Sequence, residues 1–434
     1  MNKVLIFLLI FQLNFLCATE VKEITSKNGV KFWYIKDTDS LLINMIIAFK
    51  NAGAAHQPED KAGLPVFFSS AVFCGTEKYS KSQFTEKCSN LAASISCQAD
   101  QDNLYFIFSA PKLTYEEAAG LFNKSIISPS FEEKKVKIAQ DMEADFLSSL
   151  AANPMEVAYY SILPSIIFKS SPYSYGIYGS AENFVKLSIN DLKEYKKRFL
   201  RIDNSEICIS GNLSEKEAAS LVDKILFQVE KNTELKDCIE DVVPIITADV
   251  KKYYAEGPQA SILFVQKAER PLSPKRCAAK IIFKILGEGG VFKGRILSEL
   301  RTKKGLIYNG SIGVIDLKHA SYALGYLQTD NSKIQEAIAT LKSIIKNLRK
   351  NGITQEELKF ARDNMKGKML VELRTSGKLC NFYMWRKLNG LGTNALEEIM
   401  SEVDNVTLSE VNSLAKEMLN ENKMTFIVVS GERE

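Results

Sequence analysis

The pattern of hydrophobic and polar positions predicts strands at the start of the chain and helices directly after them. Residues 30–35 and 41–49 have strand length and are rich in β-branched and aromatic side chains. Residues 63–73 are apolar on every side except at Ser69 and Ser70, which predicts a buried helix. The first quarter of the chain therefore predicts mixed α and β structure.

The same mixture continues along the first half. Two short runs, 95–99 and 103–109, predict a pair of strands, and residues 131–150 predict a long helix. Ser188 begins a further helix of the capping-box type, because an acidic residue stands three positions later. Residues 206–210 then predict another strand.

The second half of the chain repeats features of the first. The strand and glycine at 207–211 reappear 220 positions later at 427–431, and the Leu-Ser pair at 187–188 matches the one at 408–409. Each half also has a strand pair followed by a helix. We predict an α+β protein of two homologous mixed α/β domains related by internal duplication, each an antiparallel-rich sheet packed with helices.

The chain divides into four predicted segments. Residues 1–18 have a positive start at Lys3, an apolar run and a small residue before polar sequence, which predicts a signal peptide and a secreted or periplasmic protein. That run is short for a membrane span and no later stretch is long enough, so we predict no stable membrane span. The domains are predicted at 19–236 and 257–434, with a linker at 237–256.

Composition narrows the function further. Hydrophobic residues make up 46% and charged residues 25% of the 434 positions, which is typical of a globular protein. The net charge is only +4 and there is no basic block, so we predict no nucleic-acid partner. The eight cysteines have no metal-binding spacing. Buried thiols are the prediction for most of them, with one or two disulfides left open.

The residues around Arg301 and Tyr308 are candidates for a chemical role. Residues 292–300 predict a helix, Gly305 is suited to end it in the left-handed conformation, and residues 306–308 predict a new strand. Arg301 and Tyr308 stand on either side of this turn. A guanidinium and a phenol that converge there would form a donor pair for a carbonyl oxygen or an oxyanion.

A glycine-rich run precedes that helix and includes Gly289 and Gly290. The whole stretch, GEGGVFKGRILSELRTKKGLIY, resembles the second-domain signature of the insulinase/pitrilysin family of zinc peptidases. The resemblance implies that Arg301 and Tyr308 hold a substrate peptide. It also implies that the loop 287–294 lines the chamber that contains the peptide.

The first predicted helix resembles the zinc-binding helix of the same family, which reads GLAHFLEHMLFKGT or close to it. Residues 63–76 read GLPVFFSSAVFCGT, so the frame is kept while the two histidines and the glutamate are replaced by Val66, Ser70 and Ser69. Valine has no lone pair for zinc, and a serine hydroxyl is a poor zinc ligand. Ser69 is not a base near neutral pH without an activating partner.

The rest of a zinc site is also missing from the sequence. The family's third ligand is a glutamate some seventy residues downstream, where this chain has Asp141, with Glu143 beside it. A lone carboxylate does not hold catalytic zinc, so we interpret Asp141 as a vestige or a solvated helix residue. His56 and His319 are the only histidines, which argues against a relocated histidine-based site.

In relatives of this kind two chains pair, one with the zinc motif and one with the Arg/Tyr pair. The resemblance therefore implies a noncatalytic, substrate-binding subunit of a heterodimeric zinc peptidase, with no activity alone and no cofactor of its own. Zinc is expected in a homologous HxxEH-bearing partner, and the edge strand containing Ser96 and Cys97 would add a substrate peptide by main-chain pairing. The alternative is a nonenzymatic assembly or peptide-binding protein that keeps the peptidase fold.

Overall fold

The structure is a computed structural model that describes residues 20–151, 153–231, 235–288 and 293–431. The predicted signal peptide and the loop glycines Gly289 and Gly290 lie outside these residues. The described strands are β1 (Val21–Thr25), β2 (Lys31–Lys36), β3 (Leu42–Phe49), β4 (Ser94–Ala99), β5 (Leu104–Pro111), β6 (Ser205–Gly211), β7 (Val250–Tyr254), β8 (Gln259–Lys267), β9 (Ile307–Asp316), β10 (Ser321–Asp330) and β11 (Thr425–Ser430).

The α-helices lie between groups of these strands along the chain. They are α1 (Leu64–Ala71), α2 (Lys81–Asn90), α3 (Tyr115–Ile127), α4 (Glu133–Ala151), α5 (Pro154–Val157), α6 (Leu163–Ile167), α7 (Ala181–Phe184), α8 (Ile189–Phe199), α9 (Glu215–Ile225), α10 (Arg276–Leu286), α11 (Ile334–Asn351), α12 (Gln355–Glu372), α13 (Ser376–Leu388), α14 (Ala395–Asn405) and α15 (Leu408–Met418). The predicted capping box at Ser188 is present at the start of α8.

The first half forms a six-stranded sheet in the order β1-β2-β6-β3-β5-β4. β3 lies between β6 and β5 and is antiparallel to both. Seven of its eight residues are buried, because helices cover both faces of the sheet at this strand. The strands predicted at 95–99 and 103–109 are β4 and β5, which pair antiparallel and leave β4 at the edge of the sheet.

The second half forms a five-stranded sheet in the order β7-β11-β8-β10-β9. Here β9 and β10 form the antiparallel pair, and β9 is the edge strand. β7 pairs parallel with β11 although it falls within the predicted linker 237–256. The end of that segment is therefore part of the second sheet.

Each half has its own core on one face of its sheet. In the first half, α1, α3, α8 and α9 pack there around large aromatic side chains such as Phe106 and Phe122. In the second half, α10, α11, α12 and α15 pack around aliphatic side chains such as Ile282 and Leu341. This arrangement of two helix-covered sheets agrees with the fold class that the sequence predicts.

The two halves exchange helices across the opposite faces of their sheets. From the second half, α13 packs on β3 and β6, and its Tyr383 ring lies 6.5 Å from that of Trp33. From the first half, α5, α6 and the π-helical turn between them pack under β8 and β11, where Ile167 joins the core around Val265. Because each half completes the other's hydrophobic core, we expect the two halves to unfold together.

Polar contacts complete the junction between the halves. Asp102, in the turn between β4 and β5, accepts a hydrogen bond from the Tyr173 hydroxyl at 2.5 Å and another from the Lys318 backbone N–H at 2.9 Å. The imidazole of His319 lies between Asp237 at 2.7 Å and Asp241 at 3.1 Å. The turn between β9 and β10 is therefore anchored both to the first half and to the segment that joins the halves.

The cysteines and the helices bear on two further predictions. Five of the seven described cysteines are buried, and all seven are present as free thiols. The prediction of buried thiols is thus confirmed for those five. None of the helices in the described ranges combines the length and apolar character that a membrane span needs.

Candidate functional site

Arg301 lies in a π-helical segment, Leu297–Lys303, rather than in an ordinary α-helix. Leu297 and Leu300 are buried in the second core, while Arg301 is exposed. Two residues beyond this segment, Gly305 has a φ of +60° and donates its N–H to the Arg301 carbonyl at 3.0 Å. The left-handed stop is confirmed, but the helix runs past the predicted end at Leu300. Short π-helical segments are frequent at functional sites.

Tyr308 lies at a β-bulge at the start of β9. On β10, Thr329 pairs with Ile307 and Gln328 pairs with Asn309, so that Tyr308 is the extra residue of the edge strand. Its side chain is 47% exposed. A bulge turns a side chain away from the direction that regular strand alternation would give it. Both residues of the predicted pair thus stand on irregular backbone that directs them to the surface.

The end of β10 holds the turn between these two residues. The Thr329 hydroxyl donates to the Leu306 carbonyl at 2.5 Å, and the Lys333 ammonium donates to the Gly305 carbonyl at 3.2 Å. Asp330 accepts the hydroxyl proton of Tyr308 and forms an ion pair with Lys333 at 3.2 Å. The carboxylate hydrogen bond raises the pKa of the Tyr308 phenol, and the same bond lowers the pKa of Asp330. We call Thr329, Asp330 and Lys333 the clamp.

The residues of the degenerate zinc motif lie on α1. Val66 and Ser70 are four positions apart and therefore share one face of this helix, where both are half-buried. The Ser69 hydroxyl donates back to the Val66 carbonyl at 2.8 Å. The Ser70 hydroxyl instead donates across to Glu143 on the neighbouring α4. The Glu143 carboxylate at this face is thus already hydrogen-bonded.

Glu143 and Asp141 have different surroundings. Asp141 is exposed and pairs with Lys137 on its own helix at 2.6 Å. The interpretation of Asp141 as a solvated helix residue is therefore the one that the contacts favour. Glu143 is the acidic residue that faces α1, although the seventy-residue spacing had placed Asp141 nearest to the ligand position.

The edge strand β4 adjoins the same helix. It pairs with β5 on one side only, and α1 packs against it. The Cys97 side chain points into the first core, and its burial raises the pKa of the thiol well above the usual range. Ser96 is half-buried on the opposite face. Any contact of these two residues with a peptide would therefore run through their main chain and the Ser96 side chain.

Two models of one peptidase family match most of the chain. The model described as insulinase (peptidase family M16) matches residues 43–179, and the model described as the peptidase M16 inactive domain matches residues 186–365. The chain belongs to the M16 peptidase family. The two matched ranges include residues 63–76 and 287–308, the stretches on which the sequence resemblance rests.

Relatives of this M16 chain include proteins of similar length. The non-peptidase homolog YmxG of Helicobacter pylori is 23% identical over 89% of each chain, and the uncharacterized zinc protease YmxG of Bacillus subtilis is 19% identical over 93% of this chain and 96% of the relative. Among solved structures, a peptidase M16 inactive domain from Pseudomonas fluorescens is 20% identical and covers 95% of this chain and 98% of its own, with a TM-score of 0.86. The Pseudomonas fluorescens structure thus has the same fold as this chain.

The residues on α1 do not fit zinc. Val66 offers no donor atom, and the Ser70 hydroxyl is hydrogen-bonded to Glu143. No cluster of three or more His, Cys, Asp or Glu side chains in the described part of the chain could hold a metal ion. As an M16 homologue that lacks the HxxEH residues, this protein fits a noncatalytic role.

Three residues of the site escaped the sequence reasoning or were given no role by it. Asp330 and Lys333 hold Tyr308 and Gly305, but nothing in the sequence connects them to residues twenty or more positions earlier. Glu143 was noted only as the neighbour of Asp141. The glycine loop was predicted to line the site, and its described end at Gly287 accepts a hydrogen bond from the Ser311 hydroxyl of β9 at 3.1 Å.

Proposed function

We propose that this protein is the noncatalytic, substrate-binding subunit of a heterodimeric zinc metallopeptidase. The observation that carries the proposal is the contrast between its two halves. The clamp holds Tyr308 and the turn after Arg301 in place, while the zinc-binding helix has lost every residue needed for chemistry. Asp330 in particular fixes the orientation of a phenol that is 47% exposed, as a residue that contacts a ligand requires.

The missing chemistry would come from a partner. A homologous M16 subunit with an intact HxxEH helix would bring zinc and its bound water, which performs the hydrolysis. This chain would bring Arg301 and Tyr308 to the same peptide. The leader-like residues 1–18 support a secreted or periplasmic complex.

The substrate would lie along the edge of the first sheet. β4 leaves one row of main-chain groups unpaired by the described strands, and a peptide in extended conformation would add to it as a further strand. Because α1 packs beside β4, this peptide would pass the face that carries Val66 and Ser70. Recognition through the main chain would tolerate many substrate sequences.

The test is reconstitution with the partner. The tagged mature chain is pulled down from its own cell envelope, and a copurifying M16 chain with an HxxEH helix is then assayed with it for peptide hydrolysis. Arg301→Ala should lower the turnover of the reconstituted pair by about one to three decades, the scale for loss of a donor to the reacting group. Lys303→Ala is the matched control, because Lys303 is exposed on the same segment and forms an ion pair with Glu299 at 2.7 Å.

Two results would overturn the proposal. Full turnover with Arg301→Ala would remove the substrate-binding role of this residue. A native complex with no zinc-bearing M16 chain would instead favour the alternative, a nonenzymatic assembly or peptide-binding protein. The name of the Helicobacter pylori relative, a non-peptidase homolog, agrees with either function.

A further inference from the structure

The hydrogen bond between Tyr308 and Asp330 fixes which role, donor or acceptor, the Tyr308 hydroxyl has left for a ligand. A phenol has one proton to donate, and Tyr308 donates it to a carboxylate oxygen of Asp330. An ionised carboxylate can only accept, so the direction of this bond is not ambiguous. What the phenol oxygen still presents to the outside is a lone pair.

Asp330 is itself held in place. Its second carboxylate oxygen pairs with the Lys333 ammonium at 3.2 Å, and Lys333 also donates to the Gly305 carbonyl at 3.2 Å. The neighbouring Thr329 is tied to the Leu306 carbonyl at 2.5 Å. These contacts join the end of β10 to the turn that separates Arg301 from Tyr308. The carboxylate that receives the Tyr308 proton is thus itself held in place by the end of β10.

We infer that Asp330 is a positioning residue that keeps the Tyr308 proton on its own carboxylate, so that Tyr308 meets a bound peptide as a hydrogen-bond acceptor for a backbone N–H. This inference rests on the proposed function and refines it. The sequence alone suggested that both Arg301 and Tyr308 would donate hydrogen bonds to one oxygen. With Asp330 in place, only Arg301 donates.

The resulting pair complements a peptide group at both ends. The guanidinium of Arg301 has donors only and suits a carbonyl oxygen, whereas the braced phenol oxygen suits an N–H. Donation to a carboxylate also polarises the phenol and makes its oxygen a better acceptor. The ligand class is therefore an extended peptide with a free backbone N–H at this position. Proline or an N-methylated residue there would be disfavoured.

The first experiment tests the position of the phenol without any substrate. The mature chain is labelled with carbon-13 at the tyrosine ring carbon that bears oxygen, and the Tyr308 signal is assigned with Tyr308→Phe. The pKa of Tyr308 should lie above its ordinary value in the wild type and fall towards it in Asp330→Asn. Asp363→Asn is the control, because Asp363 is an exposed carboxylate that pairs with Lys359 at 3.2 Å. An unchanged Tyr308 titration in Asp330→Asn would overturn the positioning role.

The second experiment tests the acceptor role. A fluorescent twelve-residue peptide, selected from a random library for binding to the mature chain, is resynthesised with each amide in turn replaced by an ester, which has no N–H. One ester should weaken binding to the wild type by about two- to tenfold, the value of one hydrogen bond. That penalty should vanish in Tyr308→Phe and persist in Tyr253→Phe, a control on the exposed strand β7.

The outcomes separate this inference from the proposed function. An ester penalty that is equally large in Tyr308→Phe would refute the acceptor role even if peptides bind well. Failure of every library peptide to bind would refute the substrate-binding function, and with it the acceptor role. In that case the Tyr308 titration would still decide whether Asp330 positions the phenol.

Discussion

The placement of Glu143 opposite Ser70 makes the lost zinc site testable by rebuilding it. The triple variant Val66→His, Ser69→Glu and Ser70→His restores the motif on α1. Positions 66 and 70 share one helix face, and Glu143 already reaches the Ser70 hydroxyl. Two imidazoles and this carboxylate provide the three protein ligands of a tetrahedral zinc site with one open position. We expect the triple variant to bind one zinc ion and the wild type to bind none.

The expected stabilisation follows from mass action. Zinc at about one hundred times its dissociation constant stabilises the folded chain by about 2.7 kcal/mol. Because the two halves are expected to unfold together, the cooperative unit has about 400 residues, and each kcal/mol then raises the melting temperature by about 1 °C. The triple variant should therefore melt about 3 °C higher with zinc than with a chelator, measured by differential scanning calorimetry. The wild type should show no such difference.

The matched controls separate the two acidic residues. In the triple background, Glu143→Gln removes the third ligand and should weaken zinc binding by more than the 10–100-fold that loss of an outer-shell partner costs. Asp141→Asn should leave zinc affinity unchanged, because Asp141 pairs with Lys137 at the surface. Equal losses in the two variants, or no zinc binding by a folded triple variant, would refute the assigned geometry of α1 and α4.

Four further predictions concern stability. Burial lowers the pKa of His56 to about 4. Its contribution to stability is therefore present above pH 6.5 and is lost as the pH falls through 4. His56→Gln should remove up to about 3 kcal/mol of this acid sensitivity, measured by urea titrations. The pH dependence of stability due to Asp100 has the opposite sign, because burial raises the pKa of this residue to about 6. Its contribution to stability is lost as the pH rises from 3.8 through 6, so the stability of Asp100→Asn should be less sensitive to pH in that window. Gly53→Ala should destabilise the chain, because a Cβ there would lie 2.4 Å from the backbone of the β4–β5 turn. In Gly120→Ala the new Cβ meets no atom within 4 Å, and the substitution should stabilise α3 by about 0.5–1 kcal/mol in thermal melts. Met384→Ala, in the core that α13 shares with the first sheet, should cost about 2–5 kcal/mol and lower the unfolding midpoint of both halves together, as read from tyrosine and tryptophan signals in each half.

Local sequence signals predicted many of the individual elements. The buried helix α1, the strand pair β4–β5, the capping box of α8 and the left-handed Gly305 each depend on residues within a few positions of one another. The exchange of helices between the halves has no such signal, because α13 contacts strands far away in the chain. An apolar helix face shows that something covers it but not which sheet does so.

The site shows the same division. The turn between Arg301 and Tyr308 was predictable from Gly305, but the π-helical register and the bulge were not, since both depend on how β9 pairs with β10. Glu143 could not be told from Asp141 by spacing alone. Two residues apart on a helix, they point about 200° from each other, and only the packing of α4 against α1 decides which one faces the motif.

The hydrogen bond between Ser70 and Glu143 explains how α1 can lack the two zinc-binding histidines while the fold stays stable. A half-buried carboxylate that lost its metal would be left without a partner, which is costly in a protein interior. The Ser70 hydroxyl supplies a donor to Glu143, and Ser69 satisfies its own hydroxyl on the Val66 carbonyl. The replacements therefore remove metal chemistry while they keep the polar groups paired. The clamp holds a turn in the same way, through Thr329 and Lys333, but its Asp330 also fixes the phenol of Tyr308, which is exposed at the edge of a sheet. That exposed and oriented phenol is the physical reason to look for the function of this chain at Arg301 and Tyr308.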